Sequence, residues 1–494
     1  MQLFLVSLAL TYIVVLYFLT NPLKHTKKFL WMRFINWFPL GMTYAFSYMG
    51  RYNLNVAKGA LGDLLTKDDF GFIGGVGFTV YATALFLIGP VVDRIGGKRG
   101  MIIGAVGSSM MNILMGLVLY NFLNGNLQLN LVTAFSIIYG LNMLFQSFGA
   151  VSTIKVKSYW FHVRERGTFG AIFGTLISLG VYFAFDWGEA IANAVKLDQG
   201  GQTSVVRDIL NFFFALDGRM VPALWLIFFV PAIFMAVWAF IDFLVIKDTP
   251  DEAGFTNFET HDASHGEQHD VKYFALMKRI FSSKIIWTIG IIELTSGVLR
   301  NGILQWYKIY AKETGMGVEH IVSNWGFWGC VTGIAGGFLA GQISDKIFQS
   351  RRAPVAGWMQ GSMFIALAIM IMSVSSNPLM MGIGAITIMM SVIGVHSIMS
   401  GTATADFGGR KAAATATGVA DAFAYLGSAI QSFALGKLTT QSWTYWPMFL
   451  IPFTLVGIYF ARRIWFMVPA ATAKYLKENE NVDLDGLQKK SKPF

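Results

Sequence analysis

The 494-residue sequence predicts an all-α polytopic membrane protein, two six-helix halves preceded by one extra N-terminal transmembrane helix. Three observations carry that prediction. The chain is 54% hydrophobic and only 13% charged, more apolar surface than a soluble domain of this length could bury in one core. Apolar stretches of about 20 residues recur near 3–20, 30–53, 71–92, 100–122, 129–154, 167–187, 221–246, 284–307, 322–344, 354–375, 378–401, 411–436 and 443–466. Lys and Arg gather at every second connection, at Lys24/Lys27/Lys28/Arg33, Arg94/Lys98/Arg99, Lys155/Lys157/Arg164/Arg166, Lys278/Arg279/Lys284, Lys346/Arg351/Arg352, Arg410/Lys411 and Arg462/Arg463. The connections near 123–128 and 376–377 carry no charge.

Each stretch is expected to be a helix, because a lipid-facing backbone must satisfy its own hydrogen bonds and none of the stretches alternates like a barrel strand. The positive-inside rule puts the basic connections in the cytoplasm, with both ends of the twelve-helix body. The first stretch, "LFLVSLALTYIVVLYFLT", lacks the basic leader and small-residue cleavage site of a signal peptide, so a retained anchor is expected. The chain then divides into the extra helix and basic linker (1–28), an N-terminal half (29–246), a cytoplasmic linker (247–283), a C-terminal half (284–466) and a cytoplasmic tail (467–494). The long outer stretch 188–220, with "NFFFAL" inside it, suits the membrane interface.

Several function classes drop out. The net charge of +10 sits in short loops, where it sets topology, so nucleic-acid binding is not expected. Cys330, the single cysteine, reads as a small packing residue in a glycine-rich run. His261, His265 and His269 are spaced four apart, but Gly266 and the polar composition around them describe a solvated linker and no metal site. No phosphate-binding nucleotide loop and no nucleophile–base constellation occur, so neither an enzyme nor a cofactor is expected.

An internal repeat supports two halves. "GPVVDRIGGKR" supplies Gly89, Asp93 and Arg94, and "GQISDKIFQSRR" supplies Gly341, Asp345 and Lys346 at matching places. Glycine permits close helix approach, while the aspartate and bases can form a bridge that breaks when the halves rock. The stretch Gly333, Gly337, Gly341 is expected to pack helices where the halves meet.

The same offset relates Arg51 in "FSYMGRYNLNVAKGAL" to Arg300 in "SGVLRNGILQWY". A guanidinium inside an apolar helix costs about 2.5–3.5 kcal/mol on insertion scales, so it marks a place where something pairs with it. Facing one another across a central cavity, two arginines suit the oxygens of a small anionic solute. Tyr52, Trp306 and Tyr425 lie near them by helical spacing, as do Tyr44, Tyr48 and Tyr307. Glu293 stands seven residues before Arg300, and Asp421 four before Tyr425. With His396 these acids are candidates for carrying a coupling proton, or for structural pairing with arginine.

The chain from about Arg33 to Arg463 resembles the organophosphate:inorganic phosphate antiporters of the major facilitator superfamily. The likeness rests on "RYN" at 51–53, "KDDFGFI" at 67–73, "GLNMLFQSFG" at 140–149, "RERG" at 164–167, "DTPDEAG" at 248–254, "LRNGILQW" at 299–306, "GQISDKIF" at 341–348 and "RKAAATATG" at 410–418. The resemblance implies the major facilitator fold, Arg51 and Arg300 as a phosphate-binding pair, Tyr425 in the family's aromatic position, and exchange by rocking. It also implies inorganic phosphate as counter-solute; a bacterial inner membrane and no obligatory protein partner are expected besides, and the added acids make protons an alternative counter-solute. Two positions depart from the pattern. Leu85 in "YATALF" stands where the family has a lysine, and Ile177 where it has a histidine. The main expectation is organophosphate/phosphate exchange. The alternatives are a proton-coupled carrier of a carboxylate or zwitterion, and a membrane sensor built on the same fold.

Overall fold

The computed structural model describes residues 2–19, 21–162, 165–196, 204–218, 220–257, 277–278, 281–348, 351–407 and 409–466. The chain folds into helices throughout, with no strand among the described residues. In order these are α1 (Gln2–Leu19), α2 (Lys27–Leu61), α3 (Lys67–Ile95), α4 (Gly97–Leu123), α5 (Leu131–Trp160), α6 (Arg166–Tyr182), α7 (Gly188–Ala194), α8 (Val205–Phe214) and α9 (Leu226–Val245). They are followed by α10 (Lys284–Leu304), α11 (Trp306–Thr314), α12 (Glu319–Ser323), α13 (Trp325–Lys346), α14 (Arg352–Ser373), α15 (Pro378–Phe407), α16 (Gly409–Gln441) and α17 (Tyr445–Arg463). A π-helical turn, Phe183–Trp187, joins α6 to α7 without a break. His261, His265, His269 and the tail from 467 lie outside the described residues.

Six of these, α3, α4, α5, α9, α14 and the Pro378–Ser400 part of α15, are long and apolar enough to cross a bilayer on length and composition alone. Helices α2 and α16 are longer still but carry Arg33, Arg51 and Lys58, and Asp421 and Lys437, within them. Those two are the most polar of the long helices because they pass through the middle of the bundle.

Local chemistry fixes where these helices start. Thr26 caps α2 by accepting from Phe29 N–H, and Ser283 caps α10 by accepting from Ile286 N–H. At the start of α3, Thr66 and Asp69 form a reciprocal capping box, the hydroxyl accepting from Asp69 N–H and the carboxylate from Thr66 N–H. Helix α2 ends at Gly62, whose φ of 56° lets the chain turn back towards α3.

The extra helix α1 is tied to the bundle by one buried arginine. Arg33 Nε donates to Tyr17 Oη of α1 at 2.9 Å, Nη1 lies 2.9 Å from both carboxylate oxygens of Glu165, and the guanidinium sits over the Phe161 ring at 4.4 Å. Tyr17 in turn donates to Leu30 C=O at 2.8 Å. Burial opposes ionisation of Glu165, but a hydrogen bond from His25, the charge and hydrogen bond of Arg33, and the backbone N–H of His162 hold its carboxyl below the usual carboxylate range. The glutamate of "RERG" is thus the partner that makes Arg33 tolerable in the interior.

Two seams join the halves of the bundle, and they differ. Helices α3 and α16 touch along their length, from Gly71 beside Gly436 at one end to Gly89 beside Thr415 at the other. A Cβ on Gly89 would lie 2.8 Å from the backbone of Thr415, so only glycine allows this approach. Helices α6 and α13 meet over part of their length. A Cβ on Gly333 would strike Ser178, whereas Gly337 would meet only Ser397 Oγ at 4.0 Å, and nothing described lies within 4 Å of Gly341. The expected close packing is thus seen at Gly333, and among the described residues no equally close contact is made at Gly337 or Gly341.

Candidate functional site

Arg51 stands at the middle of α2 and is fully buried. Its backbone is pinned first: Tyr139 Oη donates to Arg51 C=O at 3.0 Å, and Asn142 Nδ2 to Gly50 C=O at 2.9 Å. Its guanidinium then spends its donors on protein. Nε donates to Gln146 Oε1 at 3.1 Å, Nη2 to Tyr81 Oη at 3.3 Å and Nη1 to Tyr425 Oη. The rings of Tyr48, Tyr81 and Tyr425 lie 4.7, 4.9 and 5.5 Å from its Cζ. Aromatic faces of this kind favour a cation that water does not reach.

Arg300, on α10, faces the same tyrosine from the other half. Its Cζ is 5.5 Å from the Tyr425 ring centroid, the same separation as for Arg51. Unlike Arg51, it keeps two buried N–H groups, Nε and Nη2, without a hydrogen-bond partner among the described residues. A buried, unpaired guanidinium donor is costly, and such a group points to a ligand. Arg51, Arg300 and Tyr425 thus come together as the sequence suggested. Tyr81 and Gln146 join them, although neither was singled out. Both sit inside motifs already visible in the sequence, "YATALF" and "GLNMLFQSFG", and their offsets place them on the arginine's side of α3 and α5.

The other two aromatics belong elsewhere. Tyr52 Oη donates to Asn301 Oδ1 at 2.9 Å, and Asn301 Nδ2 to Ser428 Oγ at 2.6 Å. Beyond them Asn55 Nδ2 donates to Gln305 C=O, Gln431 Nε2 to Gln305 Oε1, and Trp306 Nε1 to Gln431 Oε1. These amides form a polar floor joining α2, α10 and α16 on one side of the arginines. Trp306 is part of that floor, fully buried against Phe70 and Trp443. The structure does not bring it to the arginines.

On the other side lie the acids. Glu293 is fully buried on α10, with Oε2 2.7 Å from His396 Nδ1 of α15 and Oε1 lacking any partner among the described residues. Asp421, on α16, accepts from Ser400 Oγ at 3.2 Å and lies within electrostatic reach of His396, Arg300 and Arg51. The His396 side chain retains 26% exposure, whereas Glu293 and Asp421 are buried. Leu85, in the place of the family's lysine, is fully buried in the α3–α16 seam, where its carbonyl abuts Gly418. Ile177 is half-buried on α6.

At both ends of the bundle an aspartate binds backbone N–H groups of a helix in the opposite half. At the basic end Asp93 accepts from Thr415 N–H at 3.0 Å and Thr415 Oγ1 at 2.7 Å near the start of α16, and pairs with Lys155 Nζ at 2.9 Å. At the opposite end Asp186, in the π-helical turn, accepts from Gly326 and Phe327 N–H at 2.7 and 2.9 Å in the first turn of α13. Glu189 adds ion pairs to Lys308 and Lys312 at 2.9 and 2.6 Å, and Lys67 pairs with Glu313 at 2.8 Å. Of the repeat residues, Gly89 and Asp93 make inter-half contacts, while Arg94 and Lys346 are exposed. The Asp345 side chain lies outside the described ones.

A profile of the Major Facilitator Superfamily matches residues 40–432. Among curated proteins, the sequence is 26% identical over 434 residues to a glycerol-3-phosphate transporter of Bacillus subtilis (strain 168), covering 85% of this chain and 90% of that one. It is 25% identical over 422 residues to the membrane sensor protein UhpC of Escherichia coli (strain K12), covering 81% and 85%. A hexose-6-phosphate:phosphate antiporter of Salmonella typhimurium (strain LT2) is 25% identical over 417 residues, covering 80% of each. Among solved structures, a bacterial homolog of the human lysosomal transporter Spinster, inward-facing and unoccupied, superposes with a TM-score of 0.64 at 14% identity, covering 92% of this chain and 99% of that one. The transporter FucP in its outward conformation gives 0.57 at 12% identity, covering 86% and 98%.

Proposed function

Because the chain belongs to the Major Facilitator Superfamily, we propose that this multi-pass membrane protein is a secondary carrier that exchanges an organophosphate for inorganic phosphate by alternating access. The observation that carries the reading is the convergence of two buried arginines on Tyr425, one of them with two N–H groups that no described residue uses. Arg300 supplies the free face for phosphate oxygens. Arg51, held by Gln146 and Tyr81, supplies a fixed second charge. Relatives named for glycerol-3-phosphate and hexose phosphate transport support phosphorylated solutes.

Transport then consists of releasing one aspartate contact between the halves at a time. Freeing Asp93 from α16 opens the basic end, which we place in the cytoplasm of a bacterial inner membrane together with the C-terminus. Freeing Asp186 and Glu189 opens the other end. The protein is read as having no enzymatic activity and no obligatory protein partner. A second reading, proton-coupled transport, is favoured by one specific contact, the Glu293–His396 hydrogen bond beside the site.

Purified protein in liposomes preloaded with phosphate decides between them. Exchange predicts that internal phosphate stimulates uptake of labelled phosphate or glycerol phosphate at least tenfold, with little response to an imposed pH gradient. Uptake that ignores internal phosphate and follows the pH gradient would overturn exchange in favour of proton coupling.

A further inference from the structure

The arginines account for only half of the charge at this site. Glu293 and Asp421 bring two carboxyl groups into the same enclosure, so with His396 neutral the two acids cancel the two arginines before any solute arrives. A phosphate ester dianion with no other charge would then leave the enclosure net negative. That is an expensive state away from water. Either the acids or His396 bind protons, or the solute carries a compensating cation.

The partner pattern bears on the second. Glu293 Oε2 is engaged by His396, but Oε1 is buried with no partner among the described residues, just as Arg300 Nε and Nη2 are buried without one. One unsatisfied acceptor and two unsatisfied donors therefore occur on α10, seven residues apart. That spacing sets the Cα atoms of Glu293 and Arg300 on one helix face, about 10 Å apart along the axis. Asp421, one turn before Tyr425 on α16, adds a second carboxylate on the acidic side. A solute that carries an anionic group and a cationic group on a short chain can meet both residues of this one face.

Resting on the organophosphate reading, we propose that the solute is zwitterionic: a short aminoalkyl phosphate whose phosphate is held by Arg300 and Arg51 and whose ammonium is held by Glu293 and Asp421. Its phosphate takes the free N–H groups of Arg300, and its ammonium donates to Glu293 Oε1. His396 is a positioning residue, fixing the glutamate through Oε2. With the solute bound, every one of these buried groups is satisfied and the enclosure stays near neutral.

The test uses the full-length protein in liposomes, with exchange of labelled inorganic phosphate as the readout and matched esters as competitors. 2-Aminoethyl phosphate should compete at least tenfold better than 2-hydroxyethyl phosphate, which has nearly the same shape and no cation. In Glu293→Gln and Asp421→Asn the ratio between the two competitors should fall towards one. If the two esters compete equally on the wild type, the zwitterion proposal falls while phosphate exchange stands. If neither ester nor phosphate exchanges, both readings fall. If the hydroxyl ester is taken up with a proton, and Glu293→Gln abolishes only that pH dependence, the acids serve protons and the proposal is overturned.

Discussion

Arg51 and Arg300 occupy related places in the two halves, yet they are used differently. Arg51 has a named acceptor for each of its three nitrogens and three aromatic faces around it. Arg300 faces the same Tyr425 ring and keeps two N–H groups without a partner among the described residues. The difference teaches that a repeated charge need not carry a repeated job. Arg51 is built into the protein before a solute arrives, and Arg300 is completed by the solute.

Substituting each arginine by lysine tests that division most strongly. Both variants are expected to lose phosphate exchange by a hundredfold or more, since a point charge cannot reproduce the planar fork. Their stabilities should diverge. Arg300→Lys removes no protein hydrogen bond seen here and should melt within a few degrees of the wild type. Arg51→Lys removes bonds to Gln146, Tyr81 and Tyr425, each worth about 1.5–3 kcal/mol when the donor is charged, and should melt clearly lower. Thermal melts in detergent alongside exchange rates check this, and equal melting points for the two variants would erase the contrast.

Tyr425 is where the two roles touch. Tyr425→Phe keeps the ring that both guanidiniums face and deletes the hydroxyl that accepts from Arg51. Exchange should weaken about tenfold, in line with losing one hydrogen bond to a charged group. Tyr81→Phe deletes a longer bond, 3.3 Å, in a place where the ring again remains. A loss of about threefold is expected there. Competition curves with inorganic phosphate measure both, and a larger effect for Tyr81→Phe would shift the centre of the site towards α3.

These contacts also show how far the sequence could be read. Charges inside apolar helices are rare, so Arg51, Arg300, Glu293 and Asp421 announce themselves. Tyr81 and Gln146 do not, because an uncharged polar residue in a membrane helix serves helix contacts as readily as a site. Gly341 looks equivalent to Gly89 in the repeat, but among the described residues Gly89 lies tight against α16 while a Cβ on Gly341 would meet nothing within 4 Å. A repeat records which residues are related and says nothing of which seam is closed. Asp186 escaped notice because it falls at the edge of an apolar stretch. Its role depends on a helix start 140 residues further along.

Trp306 supplies the smallest effect and a sharp boundary to the site. Helical spacing placed it beside Arg300, six residues on, but six residues along a helix is about 9 Å of rise and most of two turns. The structure puts its indole in the polar floor, donating to Gln431 Oε1 at 3.1 Å and packed edge-on to Phe70. Trp306→Phe should therefore leave the affinity for phosphate and for its esters unchanged within twofold. It should lower stability by about 1 kcal/mol, the usual worth of one neutral hydrogen bond, with Gln431 still anchored to Gln305 through Nε2. Exchange kinetics and a thermal melt on the same preparation separate the two effects. A change in solute affinity of more than threefold, with the melting point unmoved, would extend the binding site through the floor and remove the boundary drawn here between the arginines and the amides behind them.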